Sequence, residues 1–166
     1  IVGFGSIRRT VADIAAAFKM NVLYCNRRKQ PLSGSAYTYA DFETLLSKSD
    51  IVTLHCPLTD ETKGLINKSA IDKMKQGALL INTSRGTVIN EHDLAEALNN
   101  GRIYAAADVV SVEPMLKDNP LLTAKNCIIT PHIGWAPRSV RKSLLGIVEQ
   151  NIKSFLDGSP QNVVNA

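Results

Sequence analysis

Two rhythms of apolar residues alternate along the chain. Short β-prone runs at Asn21-Val22-Leu23-Tyr24, Asp50-Ile51-Val52-Thr53-Leu54, Ala78-Leu79-Leu80-Ile81-Asn82, Tyr104-Ala105-Ala106-Ala107-Asp108 and Cys127-Ile128-Ile129 predict strands. Between them apolar residues recur at helical spacing. Val11, Ile14, Ala15 and Phe18 predict a first helix that lays this face on a sheet. Asp41 caps a short helix through Leu45 and Leu46, and Asn67 caps one that runs to Met74 and stops at Gly77. Asn90 starts a helix through Leu94 and Leu98 to Gly101. Val140, Leu144, Ile147, Val148, Ile152 and Phe155 mark a long terminal helix, with Pro137 at its first position and Gly158 beyond its end. The run Ala78 to Asn82 is apolar on both faces, as a buried parallel strand requires. Strand and helix alternate with short connections, Pro31 to Ser35 forms a turn-rich loop, and no repeat appears. The pattern predicts an α/β fold, a doubly wound parallel sheet of Rossmann type.

Only Ile1 and Val2 precede the first glycine, whereas strands usually run about five residues. The first strand is therefore expected to be truncated at the N-terminus, and the chain to be part of a longer polypeptide.

Composition narrows the function without choosing it. The 166 residues, 45% hydrophobic and 20% charged, suit one globular domain. Residues 1–50 hold seven Lys/Arg against four Asp/Glu, so most of the net charge of +4 lies there. A local anion site explains that better than a nucleic-acid surface, which needs a broader basic face. Cys25, Cys56 and Cys127 form no C-x-x-C pair, so neither a disulfide framework nor a metal site is expected. Reduced thiols, with no apolar run of membrane-spanning length, point to a cytoplasmic location.

Candidate chemistry begins at Gly3-Phe4-Gly5-Ser6-Ile7-Arg8. Gly3 permits a tight turn and Gly5 a close backbone approach to a pyrophosphate. The helix opening at Ser6 aims free N–H groups at that anion. Arg8 stands where the G-x-G-x-x-G fingerprint has its third glycine, and a long side chain there is expected to push the helix off the strand. An ordinary strand-to-helix turn fits the same residues. About 20 residues on, where an acidic residue would hold a ribose hydroxyl, Asn26 is followed by Arg27 and Arg28. That run would attract a 2′-phosphate and favours NADP over NAD, although a solvated charged loop fits it too.

Reducing a 2-oxo acid needs a cation for the carboxylate and an acid for the carbonyl oxygen. Arg85, with Gly86 beside it, offers the planar fork. His132 at a strand exit offers an imidazole that titrates near neutrality, and Glu113 a carboxylate to keep it protonated. Each also reads as a surface charge, a structural histidine or a loop corner. Asn26, His55, Ser84-Arg85, Asp108 and His132 all fall at strand ends, where doubly wound sheets bind their ligands.

Four motifs in order sharpen this picture: Asn82-Thr83-Ser84-Arg85-Gly86-Thr87-Val88, Asp108-Val109-Val110-Ser111-Val112-Glu113-Pro114, Asn119-Pro120-Leu121-Leu122 and Thr130-Pro131-His132-Ile133-Gly134. Together they resemble the D-isomer-specific 2-hydroxyacid dehydrogenases. Asn126 to Ile133, Trp135-Ala136-Pro137 and Pro160 to Asn165 are similar to the glycerate dehydrogenase/hydroxypyruvate reductase branch. The resemblance implies an NAD(P)-dependent enzyme acting on a small 2-oxo or 2-hydroxy acid, hydroxypyruvate or glyoxylate, and a homodimer formed through this domain. It implies that Arg85 binds substrate, that His132 moves the proton and that Glu113 is its partner. Ser6 and Ile7 would touch the pyrophosphate, Cys56 and Pro57 line the cofactor cleft, Thr83 and Asp108 lie near the nicotinamide end, and Ser84, Arg85, His132 and Gly134 also belong to the cofactor site. Residues 1–136 would be the cofactor domain, and 137–166 a helix and tail packing toward a substrate domain. A dinucleotide-sensing corepressor-like module and an inactive fragment are the rivals; retention of Arg85, Glu113 and His132 together argues against a sensor.

Overall fold

A computed structural model describes residues 1–3, 6–26 and 37–164. The chain divides into two compact units, Ile1–Pro131 and His132–Ala166.

In the first unit, β3 (Ile51–Leu54), β4 (Leu79–Asn82), β5 (Tyr104–Ala107) and β6 (Cys127–Ile129) form a parallel sheet in that order. A separate parallel pair joins β1 (Leu23–Tyr24) to β2 (Thr38–Tyr39). Val2 connects the two sheets by bridging to Cys25 on one side and Leu54 on the other. Its N–H donates to the Thr53 carbonyl and its own carbonyl accepts from His55 N–H, both at 2.9 Å. The spatial order is therefore β2, β1, Val2, β3, β4, β5, β6. The chain leaves Val2 for one side of the sheet and returns for the other, which makes Val2 the point where the winding reverses. Ligands of doubly wound sheets bind beyond the strand ends at such a point.

The helices form where the sequence predicts and are capped as expected. Asp41 accepts from Thr44 N–H at 2.8 Å to start α2 (Phe42–Lys48). Asn67 accepts from Ala70 N–H to start α3 (Lys68–Lys73), and Asn90 from His92 and Asp93 N–H to start α4 (Glu91–Asn99). Each such cap contributes about 1 kcal/mol. Leu45, Leu54, Leu80, Leu94, Leu98 and Ile103 are fully buried between helices and sheet, each adding about 1.5–3 kcal/mol by removal from water.

Three expectations need correction. The first helix, α1 (Ser6–Ala17), does not bury Ile14 and Phe18, which are 54% and 76% exposed. Its contact face centres on fully buried Ala12, packed with Ile1, Val22 and Tyr24 and flanked by Val11 and Ala15. A side chain as small as Ala12 brings helix and strand close. That also answers the expected displacement by Arg8: α1 stays packed because the close approach lies a turn beyond it. Second, β2 has no counterpart among the predicted strands. Third, Pro137 caps the terminal helix rather than starting it.

That helix, α5 (Arg138–Leu156), belongs to the second unit. It ends at Gly158, whose φ of 71° lets its N–H reach the Phe155 carbonyl at 3.1 Å. The predicted apolar row from Val140 to Phe155 is exposed along it. Among the described residues no helix is long and apolar enough to cross a membrane, and no cluster of three His, Cys, Asp or Glu could hold a metal ion.

Candidate functional site

The glycine turn sits against the carboxyl end of β3. Gly3 has φ 84°, and a Cβ there would lie 3.1 Å from the Cys56 Cα and N and from the His55 carbonyl oxygen. Only glycine fits that passage without strain. Ser6 opens α1, leaving the first N–H groups of the helix without intrahelical acceptors. Ile7 is 74% exposed, so only its backbone is suited to an anion. Gly5, Arg27 and Arg28 lie outside the described residues.

Asn26 follows β1 beside Gly3, and its Oδ1 is buried without a hydrogen-bond partner. An orphaned buried acceptor is costly unless something donates to it, and a ribose hydroxyl is such a donor. This part of the fold therefore fits a nucleotide. Across the turn, Cys56 is buried and Pro57 exposed. Burial pushes the Cys25 and Cys56 thiols up, so both stay protonated. His55 Nε2 lies 3.0 Å from Thr53 Oγ1. Burial, with the nearby Arg8 charge, holds the His55 imidazole below its usual range.

At the end of β4 the buried Asn82 builds the next turn. Its Oδ1 accepts from Ser84 N–H at 3.0 Å and Ser84 Oγ at 2.9 Å, while its Nδ2 donates to the Arg85 carbonyl at 3.0 Å. The turn leaves Thr83 and Arg85 exposed, with Arg85 Nη1 donating to the Ser84 carbonyl at 2.7 Å. The neighbouring strand ends in Asp108, whose N–H donates to the Asn82 carbonyl and whose Oδ1 accepts from Thr130 Oγ1 at 2.5 Å.

The Arg85 turn and the loop carrying Glu113 are locked together. A Cβ on buried Gly86 would fall 1.9 Å from the Val110 carbonyl carbon and 2.0 Å from its oxygen. Val110 N–H in turn donates to Glu113 Oε1 at 3.2 Å. Glu91 on α4 fixes the far side, accepting from Ser111 N–H and Oγ and from Asn119 Nδ2 at 2.6–2.9 Å. Gly86→Ala must move backbone. It should destabilise the protein by about 3 kcal/mol, seen as a lower urea midpoint at unchanged slope.

His132 and Gly134 open the second unit, both exposed. His132 has φ 52°, a left-handed conformation that costs a non-glycine residue roughly 1–2 kcal/mol and recurs at functional positions. The Ala136 N–H closes the following turn on the Ile133 carbonyl at 2.9 Å.

The structure thus sets Gly3, Ser6, Asn26 and Cys56 around the switch point, and Thr83, Ser84, Arg85, Asp108 and Glu113 around the ends of β4 and β5. Sequence reasoning missed the residues that hold these groups: Asn82, Glu91 and Thr130. Only Asn82 left a signal, as a polar residue ending an otherwise apolar strand.

Residues 1–134 match the family described as D-isomer specific 2-hydroxyacid dehydrogenase, NAD binding domain. The chain is 52% identical over 167 residues to a hydroxypyruvate reductase of Blautia hydrogenotrophica, covering 99% of this chain and 52% of that one. It is 40% identical over 169 residues to a glycerate dehydrogenase of Methylorubrum extorquens, covering 100% and 52%. Among solved structures, an acyclic imino acid reductase in complex with NADPH and D-Arg superposes with a TM-score of 0.88 at 35% identity, over 98% of this chain and 52% of that one. The chain spans about half the length of the curated relatives it matches.

Proposed function

This chain belongs to the D-isomer-specific 2-hydroxyacid dehydrogenase family, as its NAD-binding domain, and on that premise we propose that it serves a reductase of hydroxypyruvate or glyoxylate. The observation that carries the reading is the placement of two sets of groups at the carboxyl ends of parallel strands on either side of Val2. Gly3 and the orphaned Asn26 Oδ1 lie at the switch point, and Arg85 stands on a turn built by Asn82.

Gly3, Gly5, Ser6 and Ile7 would cradle the diphosphate, Asn26 with Arg27 and Arg28 would take the adenosine ribose, and Cys56 and Pro57 would wall the cleft. Thr83 and Asp108 would lie toward the nicotinamide, with Ser84 and Gly134 also at the cofactor. When bound, the nicotinamide supplies or accepts the hydride at substrate C2. Arg85 grips the substrate carboxylate with its fork, and His132 gives a proton to the carbonyl oxygen in reduction and takes it back in oxidation. Glu113 stabilises the imidazolium form of His132.

NADP(H) is the favoured cofactor on the Asn26-Arg27-Arg28 run. The orphaned Asn26 acceptor supports NAD(H) as a second reading, because NAD(H) keeps the ribose 2′-hydroxyl that NADP(H) has phosphorylated. We also assign a cytoplasmic location and a homodimer formed through this domain, with residues 137–166 packing toward a substrate domain. The exposed apolar row of α5 supports the last of these. The test is titration of the full-length protein with NADPH and NADH, with hydroxypyruvate present. Turnover with tighter NADPH binding is expected. Equal or tighter NADH binding overturns the NADP assignment, and cofactor binding without turnover on hydroxypyruvate or glyoxylate overturns the substrate assignment.

A further inference from the structure

Arg8 replaces a fingerprint glycine, yet nothing in the packing of α1 needs it. The helix docks through Ala12, and Arg8 stands in the first turn, half-buried. Its surroundings are unusual for a cation. It lies at the positive end of the α1 dipole, and that turn has no acidic residue to offset it. Among the described residues it makes no ion pair. Its charge acts instead on His55 and Cys56, the two residues that crowd Gly3 at the carboxyl end of β3. Among the described residues this half-buried guanidinium has no counter-ion, and the helix N-terminus it stands on carries a partial charge of the same sign. A bound anion supplies the missing counter-charge and offsets the unfavourable dipole at once.

A second observation comes from the other side of the turn. Asn26 follows β1, the strand that flanks Val2 opposite β3, and its buried Oδ1 lacks a donor. The two edges of the switch point thus lack complementary partners: an acceptor without a donor on one, a cation without an anion on the other. An adenosine diphosphate group carries both, ribose hydroxyls and a diphosphate.

We propose that Arg8 is a diphosphate-binding residue, its guanidinium on the first turn of α1 standing at the end of β3 as a charged wall of the cradle. The assignment rests on the dinucleotide reading above and deepens it. In the usual fingerprint the third glycine serves helix–strand packing alone. Here Ala12 provides that packing, and position 8 is free to contribute charge. A planar guanidinium pairs with phosphate oxygens through two parallel N–H donors, which a lysine ammonium imitates only as a point charge.

The experiment measures dissociation constants of the full-length protein for NADH, NADPH, ADP and adenosine, in wild type, Arg8→Gln, Arg8→Lys and Arg8→Gly. Thermal unfolding of each variant shows that it is folded. Arg8→Gln should weaken NADH, NADPH and ADP about tenfold or more and leave adenosine unchanged, with Arg8→Lys recovering part of the loss. Arg8→Gly, although it restores the fingerprint, should also bind more weakly than wild type. Unchanged or tighter dinucleotide binding in Arg8→Gln or Arg8→Gly overturns the proposal while leaving the dinucleotide reading intact. Loss for NADPH alone overturns it in favour of a 2′-phosphate contact, and an equal loss for adenosine in favour of stacking on the base. A wild-type protein that binds neither dinucleotide overturns both readings together.

Discussion

Replacing His132 by alanine is expected to lower kcat for hydroxypyruvate reduction by roughly 10²–10⁴-fold, the usual worth of a positioned general acid. Dissociation constants for the dinucleotide should stay within about threefold of wild type, because the imidazole is assigned to the transition state and not to ground-state binding. The conformation of His132 sets the choice of variant. At φ 52° an alanine bears backbone strain that asparagine tolerates better. His132→Asn therefore separates loss of the proton donor from movement of the turn, and it should be about as inactive as His132→Ala. Wild-type turnover in His132→Asn would remove the assignment.

The second large effect belongs to Arg85. Arg85→Gln should cost about 2–4 kcal/mol of transition-state binding, roughly 30- to 1,000-fold in kcat/KM, since it takes the cation from a desolvated carboxylate. One of its nitrogens is already engaged by the Ser84 carbonyl. The remaining donors keep the fork geometry, which lysine lacks, so Arg85→Lys should recover only a small part of the loss. Affinity for the dinucleotide should not change. An unchanged kcat/KM would show that the carboxylate is held elsewhere.

Much of this fold is legible in the sequence because it rests on local rules. The central strands are long enough for apolar patterning to show, and Asp41, Asn67 and Asn90 announce three helices by cap chemistry. Thr38–Tyr39 escapes because two residues carry no period. The α1 face is misplaced for a related reason. Ile14 and Phe18 lie at helical spacing with Val11, but burial follows Ala12, whose small size matters only once the strand opposite is known. Among the candidate residues, Arg85, Glu113 and His132 are visible as chemical types in the loops that follow strands. Their supports are not. Glu91 meets Ser111 and Asn119 across 20 and 28 residues of chain, and no local pattern encodes such pairs.

The contact of Gly86 with Val110 limits how this scaffold can be altered. Because one backbone lies directly on the other, the arginine turn and the start of the glutamate loop cannot be lengthened or shifted independently. Glu91 holds both Ser111 and Asn119. The exposed Lys117–Asp118 turn between them, closed by Asn119 N–H on the Leu116 carbonyl, is where this loop can vary with both of its ends fixed. Variation there would leave the seam of Gly86 on Val110 untouched.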